Sequence, residues 1–291
     1  MIAQFALRLI CGMSLMWALM PRRQVTSGFF RIQMLVVMGL GVLATLSAAM
    51  EVRSITDAAH SSELGWLPIL MSLSVGLIAL LGLLGFVGSV LWTLERRTGA
   101  ERVGFSVFFF SAALIVVPHF ISNVVIHIGD TSVMIIGKPE ATSHFTGALT
   151  AVSEFAGAAV LGGTVVGMLL GHWYLTTPTM SIEPLKRLNL FLGVAGLLRL
   201  IVSAAVVLML WKGVFDSAET ILRTAAVPKA WLGLRWLAGV IGPLVVSLMV
   251  WRILKYRNTQ AATGVLFVGV ILAFIGDMTA ALLLSETKLP L

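Results

Sequence analysis

Three polar side chains interrupt an apolar stretch at regular intervals. Residues 116–130 read VVPHFISNVVIHIGD, and His119, Asn123 and His127 recur there every four residues. In an α-helix a four-residue step advances by about 400°, so the three side chains stay close to one face. Imidazole and amide groups are costly to place in lipid, and they bind protons and ligand oxygens. We therefore expect this stripe to face a polar cavity inside the protein.

Other apolar runs contain charged residues, namely Arg8, Glu154, Arg199, Arg235 and Asp277. A charge in the membrane interior costs about 2.5–3.5 kcal/mol on insertion scales, so each side chain should turn inward and find a partner. Their positions along the predicted helices place them between the midplane and the outer surface. We expect them to converge with His119 on one solvated pocket. An alternative is that they form interhelical clamps with no ligand.

These residue types suit the handling of protons and the binding of an anionic or electron-rich ligand, and we expect Arg and His to bind the oxygens of a quinone. Glu154, Asp277 and His119 are the predicted catalytic groups, because carboxylates and imidazole relay protons. The predicted residues for binding quinone oxygens or another cofactor are Arg8, Arg199, Arg235, Asn123, His127 and His144.

The histidines leave a haem alternative open. A b-type haem between helices takes one histidine from each of two spans, and His127 and His144 lie near the outer ends of consecutive spans. A copper site that also uses His60 has no close ligand spacing to support it, so we predict no metal-ion site. The single cysteine, Cys11, excludes a disulfide within the chain. The sequence contains no GxGxxG, HExxH or GxSxG motif.

The composition indicates that these residues sit in a membrane protein. The 291 residues are 58% hydrophobic and 11% charged, with a mean hydropathy of +1.00. Soluble domains carry about 25% charged residues. The net charge of +7 would suit nucleic acid, but its basic residues gather beside the ends of apolar runs. The charge therefore indicates membrane topology, and we predict no nucleic-acid partner.

Long apolar helices must position the charged residues. A spanning helix needs about 20 residues, and runs near or above that length lie at 1–20, 33–50, 65–93, 104–127, 143–175, 189–211, 230–251 and 262–284. We predict an all-α, polytopic bundle of about eight transmembrane helices that forms one domain over residues 1–291. The first run has no basic segment before it and includes Arg8, so we interpret it as a retained span.

The connections between spans alternate in character. PRRQVTSGFFR, ERRTGAER and RILKYR are short and basic, whereas the other connections are longer and together lean acidic. Positive residues stay on the cytoplasmic side, which predicts that both termini are on the outer, periplasmic side. Most tryptophans fall near predicted span ends, as expected for an interfacial belt.

The fifth span carries a ridge of small residues, which are Ala159, Gly163, Gly167 and Gly171. Small residues four apart let a neighbouring helix approach closely. We expect this ridge to pack within the chain, and a homodimer seam is the alternative.

These features favour a membrane subunit of an electron-transfer, respiratory-type complex that handles quinol, electrons or protons. Its expected partners are the lipid bilayer, other subunits and an extrinsic redox protein on the outer side. The expected location is a bacterial cytoplasmic (inner) membrane. Two alternatives stay open, a transporter or channel and a structural subunit without chemistry. Helices interrupted at corresponding positions of the two halves of the chain would favour the transporter, and Pro118 is a candidate interruption.

Overall fold

A computed structural model describes the backbone of residues 1–58, 67–125, 142–177, 179–211 and 229–287, and the side chains of residues 1–53, 72–117, 148–177, 179–209 and 230–283. Within these ranges all regular structure is helical. Eight of the described helical segments are long and apolar enough to cross a membrane, which indicates an integral membrane protein. The predicted helical class is confirmed, and the described residues contain as many helices able to span as predicted.

Nine α-helices follow one another along the described chain. They are α1 (Ile2–Leu19), α2 (Ser27–Ala58), α3 (Leu67–Thr93), α4 (Arg97–Val125), α5 (Thr142–Thr176), α6 (Glu183–Trp211), α7 (Lys229–Trp236), α8 (Gly242–Lys255) and α9 (Thr259–Thr287). A π-helical segment, Leu237–Ile241, joins α7 to α8, so these three elements make the seventh span. Helix α4 continues to Val125, so Pro118 does not end it.

Helices α1 and α5 occupy the centre of the bundle. Helix α1 contacts α2, α4, α5 and α6, and α5 contacts α1, α4, α6 and α9. In an apolar 18-residue stretch of each span, 67% of the residues are buried in the first span and 78% in the fifth, against 22–44% in the other six. Charged residues on these two helices are therefore shielded from lipid by the surrounding helices.

Two glycines allow α1 and α5 to cross with their backbones in contact. A Cβ atom on Gly12 would lie 1.7 Å from the carbonyl oxygen of Ala158, and one on Gly162 would lie 1.9 Å from the carbonyl carbon of Gly12. Any larger residue at either position would force the helices apart. Glycine is thus required here for close approach.

The predicted ridge on α5 packs within the chain. A Cβ atom on Gly163 would lie 3.1 Å from the Leu192 side chain of α6, and one on Gly171 would lie 2.4 Å from Thr263 Oγ1 of α9. The ridge therefore accommodates side chains of two neighbouring helices, α6 and α9. The closest contact between helix backbones is at Gly162, which lies outside the predicted ridge.

A proline explains the π-helical segment in the seventh span. Pro243 lies in the first turn of α8 and has no N–H to donate to the carbonyl four residues earlier, at Gly239. The chain widens there, and the N–H of Gly242 donates to the carbonyl of Leu237, five residues back. The segment packs against α9, where a Cβ atom on Gly276 would lie 2.1 Å from Gly239 Cα.

The outer faces of the helices carry large apolar side chains. Leu46, Phe109 and Leu190 are 59%, 66% and 64% exposed. Scattered exposed leucines are ordinary in soluble proteins, but contiguous apolar faces on spanning helices are the surfaces that meet acyl chains. This surface is compatible with contact to a lipid bilayer.

Candidate functional site

A cluster of charged side chains lies where α1, α5, α6 and α9 meet, and Arg8 lies at its centre. The Arg8 Nε and Nη2 groups donate hydrogen bonds to the two carboxylate oxygens of Glu154 on α5. The Arg8 Nη1 group donates to Asp277 Oδ2 on α9 at 3.1 Å. The three side chains are 5%, 11% and 2% exposed. One guanidinium group therefore bridges two carboxylates from different helices.

Arg199 on α6 approaches Asp277 from the opposite side. Its Nη2 atom lies 3.9 Å from Asp277 Oδ1, which is an ion pair beyond hydrogen-bond distance. Among the described residues, the buried Nε and Nη1 atoms of Arg199 have no hydrogen-bond partner. Buried guanidinium N–H groups need acceptors, so these donors can serve an acceptor oxygen that enters the cluster.

Arg235, at the end of α7, lies beside the cluster. Its Nη2 group is 3.4 Å from the hydroxyl oxygen of Ser203, which follows Arg199 by one turn on α6. A Cβ atom on Gly239 would lie 2.7 Å from Arg235 Nη1, so the π-helical segment leaves space for this guanidinium. The cluster contains three arginines and two carboxylates, which leaves one positive charge in excess among these five residues.

Glycines next to the charged residues make room for them. Gly157 follows Glu154 by three residues, and its Cβ position lies 3.5 Å from Asp277 Oδ1 and 3.8 Å from Arg199 Cζ. Gly276 directly precedes Asp277 and packs on Gly239. Helices α5 and α9 can thus bring their carboxylates close to the arginines of other helices. We did not predict these glycines, although their positions beside intramembrane charges were visible in the sequence.

The arrangement concentrates titratable groups in a region of low dielectric constant. Buried charges interact strongly there and become costly when a partner is removed, by about 3–5 kcal/mol. The planar guanidinium of Arg8 suits this position because it can bind one carboxylate through two nitrogens and a second through its third. Glu154 and Asp277 therefore share Arg8 as a hydrogen-bonding partner.

The structure brings together Arg8, Glu154, Asp277 and Arg199, with Arg235 alongside, and their proposed chemical roles stay predictions. The side chains of His119, Asn123 and His144 lie outside the described side chains, although their backbones belong to α4 and α5. His60 and His127 lie outside the described residues altogether. Within the described ranges, no group of three or more His, Cys, Asp or Glu side chains could hold a metal ion.

Two of the predicted belt tryptophans are core residues. Trp17 and Trp92 lie at the ends of α1 and α3, as predicted, but are only 3% and 4% exposed. Trp251 is 52% exposed, with the Lys255 ammonium 3.8 Å from its ring centroid, as suits an interfacial residue. The burial of Trp17 and Trp92 comes from packing among helices, which position along one helix does not show.

Comparisons with protein families, curated proteins and solved structures find no match for this chain. Its class is defined by its own architecture. The chain is a helical-bundle integral membrane protein with a buried cluster of ion pairs at the junction of its central helices.

Proposed function

We propose that this chain is a membrane subunit of an electron-transfer, respiratory-type complex, and that its charged cluster handles protons during quinol chemistry. The observation that carries the proposal is the bridging of Glu154 and Asp277 by Arg8. In this proposal the two carboxylates, which share one guanidinium, pass a proton between them.

In this proposal Arg199 binds the quinone. Two of its buried nitrogen donors have no partner among the described residues, and the cluster holds an excess positive charge. Carbonyl oxygens of a quinone accept hydrogen bonds, and the negative charge that develops during reduction would be stabilised by a nearby guanidinium. His119, Asn123, His127 and His144 would extend this site toward the outer surface, and a haem held by His127 and His144 is the alternative cofactor.

The proposal includes a location and partners. The basic connections favour a bacterial cytoplasmic membrane with both termini on the periplasmic side. Because the described part of the chain is a helical bundle without a separate soluble domain, redox centres would come from other subunits, including an extrinsic protein on the outer side.

One observation favours a second candidate, a proton-coupled transporter or channel. The seventh span is interrupted by the π-helical segment next to Arg235, and transporters use interrupted helices at substrate sites. Pro118, the candidate break in the sequence, does not end α4. A second interrupted span is thus missing from the described helices, which is why this candidate ranks below the first.

The test is Glu154→Gln in the native complex, because glutamine keeps the volume and one acceptor oxygen for Arg8 but cannot carry the proton. We expect quinol oxidation in native membranes to fall by about 100-fold, the usual minimum contribution of a proton-transfer group. The complex should still assemble and should contain extractable quinone. Glu183→Gln is the matched control, since Glu183 is a half-exposed partner of Arg187 and should tolerate the change.

Two other outcomes would overturn the proposal. If Glu154→Gln lowers the melting temperature but leaves the rate per folded molecule unchanged, the cluster is a clamp. If the purified protein contains no quinone and takes up protons into sealed liposomes without quinol, it is a transporter.

A further inference from the structure

The short turn between α8 and α9 carries three basic side chains and no acidic one. Residues 256–258 connect the two helices, and Arg252, Lys255 and Arg257 are all exposed there. Residues 229–276 contain no aspartate or glutamate. Among the described residues, none of the three basic side chains takes part in an ion pair. Their positive charges therefore stand without compensation from the protein.

The other connections at this end of the bundle bring carboxylates with them. Arg22, between α1 and α2, has its Nη1 atom 3.7 Å from Glu101 Oε2 of α4. Arg187 at the start of α6 has its Nε atom 3.5 Å from Glu183 Oε1, and the α3–α4 turn contains Glu95. Helix α6 packs against α8, so Glu183 is the acidic residue of the adjacent helix end, and it already has a partner. The α8–α9 turn is thus the place at this end where an anion would meet no described carboxylate paired to the basic groups.

Arg257 adopts a backbone conformation that favours glycine. Its φ of 54° lies in the left-handed region, where a Cβ atom costs free energy. The α3–α4 turn places Glu95 in the same conformation, with a φ of 53°. Glycine would suit both turns, so the backbone does not account for the positive charge at Arg257.

An exposed apolar stripe on α8 leads to the basic turn. Three large side chains of the stripe are 47–53% exposed, namely Val245, Leu248 and Met249. Arg252 follows Leu248 by four residues and Met249 by three, so it continues the same face of the helix. Beside it, the exposed Trp251 ring carries the Lys255 ammonium over its face, as is usual where a helix leaves the hydrocarbon layer. A stripe that is apolar along its length and basic at its end is complementary to a lipid with a negative headgroup.

We propose that the α8–α9 turn binds the headgroup of an anionic phospholipid, and that the exposed stripe on α8 packs against its acyl chain. The phosphate oxygens accept hydrogen bonds from Arg252 and Lys255, which are neighbours on the helix surface, and Arg257 adds a third positive charge from the turn. A zwitterionic headgroup binds less well, because its own cation is repelled by these side chains. This site goes beyond the proposed function. It uses none of the residues of the charged cluster, so each proposal can fail without the other.

The test is native mass spectrometry of the purified full-length protein in a neutral detergent. The protein is titrated with phosphatidylglycerol and with phosphatidylcholine of the same acyl chains. We expect phosphatidylglycerol to bind at least about tenfold more tightly, since each basic side chain near an anionic headgroup contributes about fivefold. Equal binding of the two lipids would overturn the proposal.

Arg257→Gly separates loss of binding from loss of folding. Phosphatidylglycerol should bind about fivefold more weakly, whereas the melting temperature should stay at or above that of the parent protein, because glycine tolerates the left-handed conformation. Glu95→Gly is the matched control. It makes the same backbone change in the equivalent turn but removes a negative charge, so lipid binding should not weaken. Unchanged binding by Arg257→Gly would overturn the proposal.

A pair of double variants tests whether the site is local. Arg252→Gln combined with Lys255→Gln should weaken phosphatidylglycerol binding by about 25-fold if the two contributions add. Arg96→Gln combined with Arg97→Gln removes the same charge from the exposed α3–α4 turn and should leave binding unchanged. Equal losses in the two double variants would assign the attraction to the whole basic end and overturn the proposal. Displacement of the lipid by millimolar inorganic phosphate would also overturn it, because the turn would then be a site for a soluble anion.

Discussion

Arg8 connects the two core carboxylates through all three of its guanidinium nitrogens. Arg199, in contrast, reaches Asp277 through a single nitrogen at 3.9 Å. Both arginines are buried, so their loss would leave carboxylates without full compensation. The number of hydrogen bonds that each makes should nevertheless separate their contributions to stability.

We predict that Arg8→Lys destabilises the protein more than Arg199→Lys does. A lysine ammonium is a point charge that cannot bind Glu154 through two parallel hydrogen bonds while also reaching Asp277. The loss at Arg8 should be about 2 kcal/mol or more, the usual value for hydrogen bonds to charged groups, whereas that at Arg199 should be smaller. Thermal unfolding in detergent would measure the order of the two variants.

Arg187→Lys is the control for this comparison. Arg187 pairs with Glu183 on an exposed face of α6, and exposed pairs of this kind contribute about 0.5 kcal/mol or less. Equal melting temperatures for Arg8→Lys and Arg199→Lys would contradict the bridging role of Arg8.

The charged residues of the cluster were identifiable from sequence because each lies in an apolar run, where placing a charge in the membrane costs free energy. That cost predicts that they turn inward at a shared level, and the contacts of Arg8 with Glu154 and Asp277 agree. Which arginine would bridge the carboxylates was not predictable. It depends on how the helices rotate and how closely they approach, and the decisive contacts join residues more than a hundred positions apart.

Close approach of helices is governed here by individual glycines rather than by one ridge. Gly162 meets the backbone of α1, whereas Gly167 meets the side-chain ends of Leu188 and Leu266. A backbone cannot move aside without shifting a whole helix, but a leucine side chain can change its rotamer. The same substitution should therefore have different consequences at the two positions.

We predict that Gly162→Ala destabilises the bundle strongly and that Gly167→Ala does so mildly. At Gly162 the new methyl group would overlap the backbone of Gly12, so the cost should exceed the roughly 1–3 kcal/mol that is usual for overpacking. At Gly167 the nearest atom is Leu188 Cδ2 at 3.1 Å, which needs only a small adjustment. The amount of folded protein after detergent extraction and its melting temperature would measure both effects.

Gly39→Ala provides the baseline, since the position is open and alanine is the better helix former. If Gly162→Ala accumulates and melts like Gly39→Ala, then α1 and α5 do not cross as described.

Spans could be predicted from sequence, but their contacts could not. Length and apolarity alone locate the eight spans, because a membrane imposes both. The crossing of Gly12 with Gly162 depends on which helices become neighbours, and small residues occur on several spans. The π-helical segment is an intermediate case. Pro243 marks a disturbance of the seventh span, but the proline does not specify whether the helix kinks, ends or widens.

The number of spans constrains the topology of the protein. The described residues contain eight helices able to span a membrane, and eight crossings would place the two ends of the bundle on the same side. Which side that is depends on the connections. The basic segments around Arg96 and Arg257 lie at one end of the bundle, and basic residues are retained on the cytoplasmic side. We therefore predict that both termini face the outer side of the membrane.

We predict that a cysteine at Thr287 reacts with a membrane-impermeant maleimide in intact cells, whereas a cysteine at Thr98 reacts only after permeabilisation. Thr98 lies near the start of α4 and Thr287 at the end of α9, so five candidate spans separate them, and an odd number of crossings would place them on opposite sides. The native Cys11 is buried and should give little background. Labelling of Thr98→Cys alone in intact cells would reverse the orientation and place the charged cluster in the cytoplasmic half. Labelling of both, or of neither before permeabilisation, would mean that an even number of crossings separates them, and the eight-span topology itself would be wrong.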